Sequence, residues 1–465
     1  MSDGASWDAE AHDRARIYQA ARDLHITHQQ GEDRTPGPVR LSLRHLLSCF
    51  DDAPLPLSVL SAEAVAAVRM PELPAERVAA EVRKLTDGAQ VRTGADGEPP
   101  VPCVRADAAA VAESARELTD EVRAQLCAYA AALLDHALLR SPDGAAPDLF
   151  APHAMALLWR SGRAPSRAAT VARRVRDAYA AAGQYEEGLP FAVRIVESSA
   201  TGAELADALA LGRLQCCCGD FGDAEAVLRP VLAQAEREAG GRGLSLAGRT
   251  GPSIADILRE NADGPFTGRL SPADCQVLTQ VADVQHAMAD ALYGLRRYAE
   301  CERLLHAAAG LRWRVLGAAH PARLLAQLHR ARALGQQRLW HEAFALVHDA
   351  LAYRDRAELE GDRPRDAALL RLAHAEVMVA AVRSLRDEGA SRSRGVGMFP
   401  APVVRFLDRT MSPHTKPEKL TWSDAVQLAE EAVRACDRAF GAAHPHARSA
   451  RALLEQAGRE QGSAP

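Results

Sequence analysis

Three consecutive cysteines, Cys216, Cys217 and Cys218, are the residues of this sequence that first raise the question of metal or redox chemistry. On a helix, adjacent side chains point in directions about 100° apart. Three neighbours therefore cannot clasp one ion as a C-x₂-C pair does. Cysteine is also a common small packing residue. We predict a packing role for this run, with no metal ligand and no cofactor.

Catalytic motifs are missing from the sequence. The stretch "HEAFA" at His341 lacks the second histidine of a zinc-protease H-E-x-x-H motif, because Ala345 stands in its place. No glycine immediately precedes any of the three lysines, Lys84, Lys416 and Lys419, which excludes a phosphate-binding P-loop. No G-x-S-x-G elbow is present either. We therefore expect a protein that is not an enzyme.

Composition and charge further restrict the kind of protein this chain can be. In 465 residues aromatic side chains make up only 5%, alanine is abundant, and the net charge is −5. This composition favours closely packed helices and provides no general electrostatic field for nucleic acid. No uninterrupted apolar stretch reaches the length of a membrane span, and the acidic N-terminus does not resemble a secretion signal. With an odd count of nine cysteines, we expect a cytoplasmic protein with reduced thiols.

Four similar turns between helices would position the polar residues of this chain. They are "AGQYEEGLPF", "CGDFGDAEAV", "LRRYAECERL" and "QRLWHEAFAL". Each contains an aromatic residue, in order Tyr185, Phe221, Tyr298 and Trp340. Three positions later each has a small residue, in order Gly188, Ala224, Cys301 and Ala343. The aromatic residue is expected to fill the wedge between two helices, and the small residue lets the second helix approach the first.

A six-residue stretch recurs between these turns. "LGAAHP" at Leu316–Pro321 returns as "FGAAHP" at Phe440–Pro445, and in weaker form as "LEGDRP" at Leu359–Pro364. The glycine can end one helix in a left-handed conformation, and the proline suits the first turn of the next. His320 and His444 are expected to cap that next helix. The stretch therefore marks the joint between one helical pair and the following pair.

These turns and joints resemble tetratricopeptide repeats of the kind found in kinesin light chains and many actinobacterial regulators. The resemblance covers roughly residues 166–458, interrupted by two insertions rich in Gly, Ser and Pro, the second of which would split the fourth pair. In that family the first helix of each pair lines a concave groove that binds peptides or partner domains. The resemblance thus implies an α-α superhelical repeat solenoid with a protein or peptide partner.

Eleven residues before each small residue lies a position that faces the groove in this family. Here it is occupied in turn by Asp177, Arg213, Asp290 and Arg332. We add His286 to this candidate partner-binding set. The alternating charges could grip an extended segment of a partner. Alternatively, they could pair with one another or face solvent, where such pairs contribute about 0–1 kcal/mol each.

The region before the repeats has a different pattern. Candidate helices at "VRLSLRHLLSCF", at "SAEAVAAV" with Ser61 as its cap, and at "PAERVAAEVRKLTDG" precede a hairpin formed by "AQVRT" and "VPCVR". This order predicts a winged-helix-like module. Its third helix holds Arg77, Arg83 and Lys84 against an equal number of acidic residues, and this balanced charge argues against DNA binding. The order of module, long helices and repeats also resembles the rear half of NB-ARC-type signalling regulators without the ATPase, which implies a docking surface.

The N-terminal "RIYQAARDLHITH" at Arg16–His28 fits either a helical face or a strand edge. It resembles short segments at the front of actinobacterial signalling ATPases, some of which recruit an effector by strand stacking. A tail without fixed structure, or a strand added to the fold, is the alternative.

Together these patterns predict a mostly α protein with four regions. They are a flexible N-terminal segment at 1–36, a winged-helix-like α+β module at 37–107, a helical connector at 108–165, and repeats at 166–465 with loop insertions near 239–272 and 386–420. The expected function is a non-enzymatic interaction scaffold. The alternative is a DNA-binding transcriptional regulator whose repeats act as the sensor.

Overall fold

Helices dominate the part of the chain that the structure, a computed structural model, describes. That part comprises residues 41–68, 74–86, 91–92, 101–104, 108–140, 147–160, 167–198, 205–244, 270–354, 363–392 and 421–462. The predicted N-terminal segment 1–36, including Arg16–His28, lies outside it. The described residues from Ser42 onward belong to one compact unit. No helix among them is long and apolar enough to cross a membrane.

Seventeen α-helices are found in the described residues. In chain order they are α1 Leu43–Leu47, α2 Ala62–Val68, α3 Ala75–Thr86, α4 Ala108–Arg116, α5 Asp120–Arg140, α6 Ala151–Arg160, α7 Arg167–Ala182, α8 Tyr185–Ser198, α9 Leu205–Cys218, α10 Phe221–Gly241, α11 Pro272–Gly294, α12 Tyr298–Leu316, α13 Pro321–Gln336, α14 Trp340–Arg354, α15 Pro364–Arg392, α16 Trp422–Phe440 and α17 Pro445–Gly462. The strands are β1 Leu55–Pro56, β2 Val91–Arg92 and β3 Val101–Val104.

The N-terminal module contains the three predicted helices, α1 to α3, and the predicted antiparallel hairpin, β2 with β3. Ser61 caps α2 as expected, since its Oγ accepts the Ala64 N–H at 3.1 Å. The sequence did not reveal β1, which pairs antiparallel with β3 and completes a sheet of order β1-β3-β2. At two residues, β1 is too short for any periodicity to show.

This module is fixed to the helical connector that follows it. Arg160 of α6 donates hydrogen bonds to the carbonyl oxygens of Ser48 and Phe50, and Arg140 of α5 pairs with Glu63 of α2. The buried His153 of α6 lies 3.3 Å from the carbonyl oxygen of Pro54. Polar groups at the ends of the short helices thus find partners on long helices, so the module does not rely on its small core alone.

From α7 onward the helices form antiparallel pairs that stack in sequence order. The pairs are α7/α8, α9/α10, α11/α12 and α13/α14, and each of these helices up to α13 packs against the next one along the chain. First helices of successive pairs also touch, as α9 does with α11 and α13 with α15. This arrangement confirms the predicted α-helical repeat solenoid.

The four turn aromatics occupy equivalent backbone positions. Tyr185, Phe221, Tyr298 and Trp340 are the first residues of α8, α10, α12 and α14. The small residue one turn later is buried in every pair, as the spacing predicts, and these residues are Gly188, Ala224, Cys301 and Ala343. Because a larger side chain there would separate the helices, this position sets the distance between the two helices of each pair.

The rings themselves have different neighbours. Phe221 packs against Gly294 at the end of the next first helix, whereas the buried Trp340 covers Gly335 of its own pair. The Nε1–H of Trp340 donates to the Ser384 Oγ of α15 at 2.8 Å. These aromatics therefore connect a pair to its successor as well as closing the pair.

Tyr185 differs from the other three. Its ring meets that of His444, in the last joint, edge-on at 6.4 Å. Gly183, just before it, lies so close to Pro445 and His444 that it has no room for a side chain. The stack of pairs therefore brings its first turn into contact with its last joint.

The joints have the predicted glycine and proline positions, but their glycines adopt a different conformation from the predicted one. Gly317 and Gly441 follow the last residues of α12 and α16 with φ of 90° and 86°, and Pro321 and Pro445 begin α13 and α17. Their ψ values of 172° and 154° lie outside the left-handed helical region that we expected, in a region open essentially to glycine alone. The His320 side chain caps α13 by accepting the Ala322 N–H at 3.2 Å.

Two boundary expectations were wrong. Helix α15 continues to Arg392, so the second insertion does not begin near residue 386. That insertion also does not split the fourth pair, because α13 and α14 are joined by a short turn, and the gap at 393–420 separates α15 from α16. A helix can continue through "EGASR" because the turns before this stretch are well packed, with Ala381 and Val382 buried.

The interface between the first two pairs contains a buried ionic cluster. Asp207 of α9 is 1% exposed and accepts hydrogen bonds from Arg173 at 2.9 Å and Arg176 at 3.1 Å, both on α7. A carboxylate buried this deeply is tolerable only because two guanidinium groups satisfy it.

Replacing Gly335 by alanine tests the packing between helices. A Cβ there would lie 2.6 Å from the Trp340 ring, which Ser384 holds in place. We expect Gly335→Ala to lower the free energy of unfolding by about 1–3 kcal/mol, measured by urea denaturation. The control is Gly458→Ala, also within a helix but with nothing near the added carbon, which should gain about 0.5–1 kcal/mol. Equal effects at the two sites would contradict this packing.

Removing the Asp207 carboxylate tests the ionic cluster. Asp207→Ala removes the buried carboxylate that Arg173 and Arg176 share, and we expect a loss of about 3–5 kcal/mol in urea denaturation. Asp177→Ala serves as control, because Asp177 also pairs with Arg176 but its side chain is 66% exposed. It should change stability by no more than about 0.5 kcal/mol. Indistinguishable unfolding midpoints would refute the role of Asp207.

Candidate functional site

A pocket of about 240 Å³ opens where the second, third and fourth pairs meet. Three first helices, α9, α11 and α13, supply most of its wall, and the starts of α10 and α12 supply the rest. The lining residues are Cys216, Cys217, Phe221, Asp290, Tyr293, Gly294, Cys301, Leu305, His329 and Arg332. The candidate row predicted from sequence therefore passes through this pocket, which we call the inner pocket.

The structure places the four members of that row differently. Asp290 and Arg332 line the inner pocket, and Arg213 lies one helical turn before two of its lining residues, Cys216 and Cys217. Asp177 does not line it; its carboxylate is exposed and lies 2.9 Å from the neighbouring Arg176. The first pair thus contributes nothing to this pocket.

Row members pair with side chains outside the row. The Arg332 guanidinium donates to Glu376 of α15 at 2.6 Å and lies 3.9 Å from the centre of the Tyr293 ring. Arg213, half of whose side chain is exposed, reaches Asp283 only at 3.8 Å. The charge of Arg332 is therefore matched by Glu376, and that of Arg213 is loosely matched.

Asp290 has no such cationic partner. Its Oδ1 lies 3.3 Å from His329 Nδ1 and 3.9 Å from His286 Nε2, and within the described residues no arginine or lysine reaches ion-pair distance. The side chain is still 44% exposed although four helices surround it, as expected for a group at the floor of a concavity. Burial would raise the pKa of Asp290, yet the two histidines and Arg332 outweigh burial and lower it to about 2. The carboxylate is thus ionised at neutral pH.

His286 lies behind the pocket wall and not within it. It is 7% exposed, its Nδ1 is 2.6 Å from Arg312 Nη1, and its Nε2 is 3.0 Å from His329 Nδ1. Burial, followed by the charge of Arg312, lowers the pKa of His286 well below its ordinary value. His286 is therefore neutral, and it contacts the pocket through His329. A direct part for His286 in partner binding stays a prediction, and within this pocket its contact is made through His329.

The three side chains His286, Asp290 and His329 approach one another as metal ligands would, with candidate ligand atoms all within 4.8 Å. The hydrogen bonds oppose that role. Arg312 can only donate, so Nδ1 of His286 must carry the lone pair and Nε2 the proton. A ligating histidine needs the reverse, with its outer nitrogen donating to an acceptor. This donor set does not fit a metal ion.

Arg312 also connects the pocket to the joint that follows α12. Its guanidinium, 4% exposed, donates to Asp283 at 2.7 Å and to the carbonyl oxygen of Ala322 at 2.9 Å. Because Ala322 is the second residue of α13, this arginine fixes the start of the helix that carries His329 and Arg332. The recurring joint thus positions two residues of the site.

The cysteine run contributes lining that the sequence did not predict. Cys216 and Cys217 line the pocket, whereas Cys218 does not. Burial and the nearby Asp290 raise the pKa of Cys216 to about 12 and that of Cys217 to about 11, and the same causes raise that of Cys301 to about 12. The thiols are therefore neutral and serve as apolar wall rather than as nucleophiles.

A positional rule could have found most of the missed residues. Cys216 and Cys217 stand three and four positions after Arg213, as Tyr293 and Gly294 stand after Asp290. Residues at that spacing share a helix face. Extending the row by one turn would have identified these four. His329 precedes Arg332 by three positions and would have required the same step in the opposite direction.

Comparisons with known proteins do not assign this chain to a family. No protein-family model matches the chain, and no curated protein matches its sequence. Among solved structures the chain is similar to one described as "Crystal Structure of Rap Protein Complexed with Competence and Sporulation Factor". The TM-score is 0.35 at 11% identity, over 87% of this chain and 95% of that chain. A similarity at this level says nothing about which residues bind a partner.

The proton positions around His286 predict that no metal ion binds to His286, Asp290 and His329. Adding Zn²⁺ should leave the thermal unfolding midpoint of the full chain unchanged, measured against the same sample with a chelator. A site occupied at 100 times its Kd would instead add about 2.7 kcal/mol. A Zn²⁺-dependent rise that disappears in His286→Ala would show that the hydrogen-bond assignment is wrong.

Proposed function

We propose that the chain is a non-catalytic interaction scaffold that binds an extended segment of a partner protein or peptide across its first helices, with the inner pocket as the anchor point. One observation carries this proposal: Asp290, Tyr293, His329 and Arg332 converge on a single open pocket from consecutive repeats. Pockets that combine apolar walls with a few convergent polar groups are the usual sites of binding.

The state of the polar groups also favours binding over catalysis. The thiols are protonated, His286 is held neutral by burial and Arg312, and Asp290 stays ionised. A general acid or base requires a pKa near the working pH, and a nucleophile needs activation. These groups can form hydrogen bonds and ion pairs with a partner, and that is the activity we assign to them.

The N-terminal module is proposed as a second docking surface instead of a reader of DNA. The exposed side of α3 carries Arg77, which is bonded to Glu81, beside Arg83 and Lys84. A helix that enters the major groove needs unmatched positive charge to replace the counterions of the phosphates. The DNA-binding alternative would be supported by a gel shift of the full chain that weakens steeply with salt.

Blocking the inner pocket tests the proposed function. Peptides would be selected from a random phage-displayed library on the immobilised full chain, synthesised with a fluorophore, and measured by anisotropy. Cys217→Trp adds a large ring at an exposed position of the lining, so it should raise the Kd at least about tenfold by occupying the pocket.

Gln234→Trp, at an exposed position of α10 outside the lining, is the matched control and should leave the Kd unchanged. Circular dichroism would verify that both variants fold. Failure to select any peptide, or equal binding by the two variants, would overturn the proposal.

A further inference from the structure

We infer that the inner pocket takes one lysine or arginine side chain of the partner segment, with its cationic group on the Asp290 carboxylate. This inference rests on the proposed function and adds the chemistry of the anchoring residue.

Unmatched charge is the first argument. The pocket lining contains one carboxylate, Asp290, and one guanidinium, Arg332. Glu376 already neutralises Arg332 at 2.6 Å, whereas Asp290 has only imidazole neighbours. Within the described residues no lysine or arginine forms an ion pair with Asp290, so a cation from a partner would supply the missing match. An acidic side chain would face the Asp290 charge directly.

The size and walls of the pocket provide the second argument. Pockets that bind drug-sized ligands measure about 300–1,000 Å³, so a pocket of about 240 Å³ suits a smaller group such as one side chain. Phe221, Tyr293 and Leu305 contribute apolar surface to its lining. Lysine and arginine carry an apolar stem below a charged head, and either head gains further energy beside an aromatic ring. Both parts of such a side chain would find a matching surface.

Preorganisation is the third argument. His329 is placed by His286, and His286 by Arg312, which is itself bonded to Asp283 at 2.7 Å, so the side chains beside Asp290 are fixed before a partner arrives. No side chain in this series has to leave a partner before a cation can reach Asp290. Binding therefore needs little rearrangement, which favours affinity.

The experiment uses the peptides selected on the full chain. We expect a basic residue at one fixed position, and its replacement by alanine should weaken binding about tenfold or more, as should Asp290→Asn in the protein. Combining both changes should cost little more than either one alone, because they remove the same contact. Asp223→Asn is the matched control, an exposed carboxylate on the second helix α10 and outside the lining, and should bind as the wild type does.

A charge reversal makes the result specific. Selection on Asp290→Arg should yield peptides with an acidic residue at the position that was basic before. Peptides that are blocked by Cys217→Trp but carry no basic residue, or bind Asp290→Asn undiminished, would refute this inference and leave the proposed function standing. If no peptide is selected, or Cys217→Trp does not weaken binding, both fall together.

Discussion

A helical pair of this chain cannot bury its apolar surface without the pair beside it, and every other feature follows from that constraint. The buried clusters show it directly: Leu228 of α10, Leu292 of α11 and Leu305 of α12 belong to one core that extends over two pairs and reaches α13. Fully burying such a side chain contributes about 1.5–3 kcal/mol, which each pair gains only when its neighbour is in place. The small residue after each turn aromatic makes this approach possible.

The same constraint builds the site. Because successive first helices must lie side by side, residues at one register of the repeat come together whatever their chemistry. The pocket arises where that register holds charged and aromatic side chains, between α9, α11 and α13. Arg312 donates to the carbonyl oxygen of Ala322 at the start of α13. This bond sets the position of His329 and Arg332 relative to Asp290. Recognition chemistry therefore depends on the spacing of the repeat.

Local signals made much of the fold predictable. Each turn aromatic begins a helix, and each joint proline begins another, since these residues act through contacts a few positions away. Strand β1 was missed because its formation depends on β3, nearly fifty residues later. The end of α15 was misplaced because glycine and serine are poor helix formers, and packing on the earlier part of the helix overrode that preference.

The site was predictable in part and for a related reason. The position within the repeat was enough to place Asp290 and Arg332 in the pocket lining, because equivalent positions of successive repeats lie side by side. It could not show that Glu376 neutralises Arg332, that His286 lies behind the wall, or that Cys217 is an exposed part of the lining. Those facts depend on which side chain of the adjacent helix stands opposite, and the sequence of one helix does not contain that information.

A crystal structure of the full chain with a selected peptide would test the central claim most directly. The account predicts that the peptide crosses α9, α11 and α13 and places one basic side chain in the inner pocket, within hydrogen-bond distance of the Asp290 carboxylate. A peptide bound on the N-terminal module, or on the second helices of the pairs with the inner pocket empty, would contradict it.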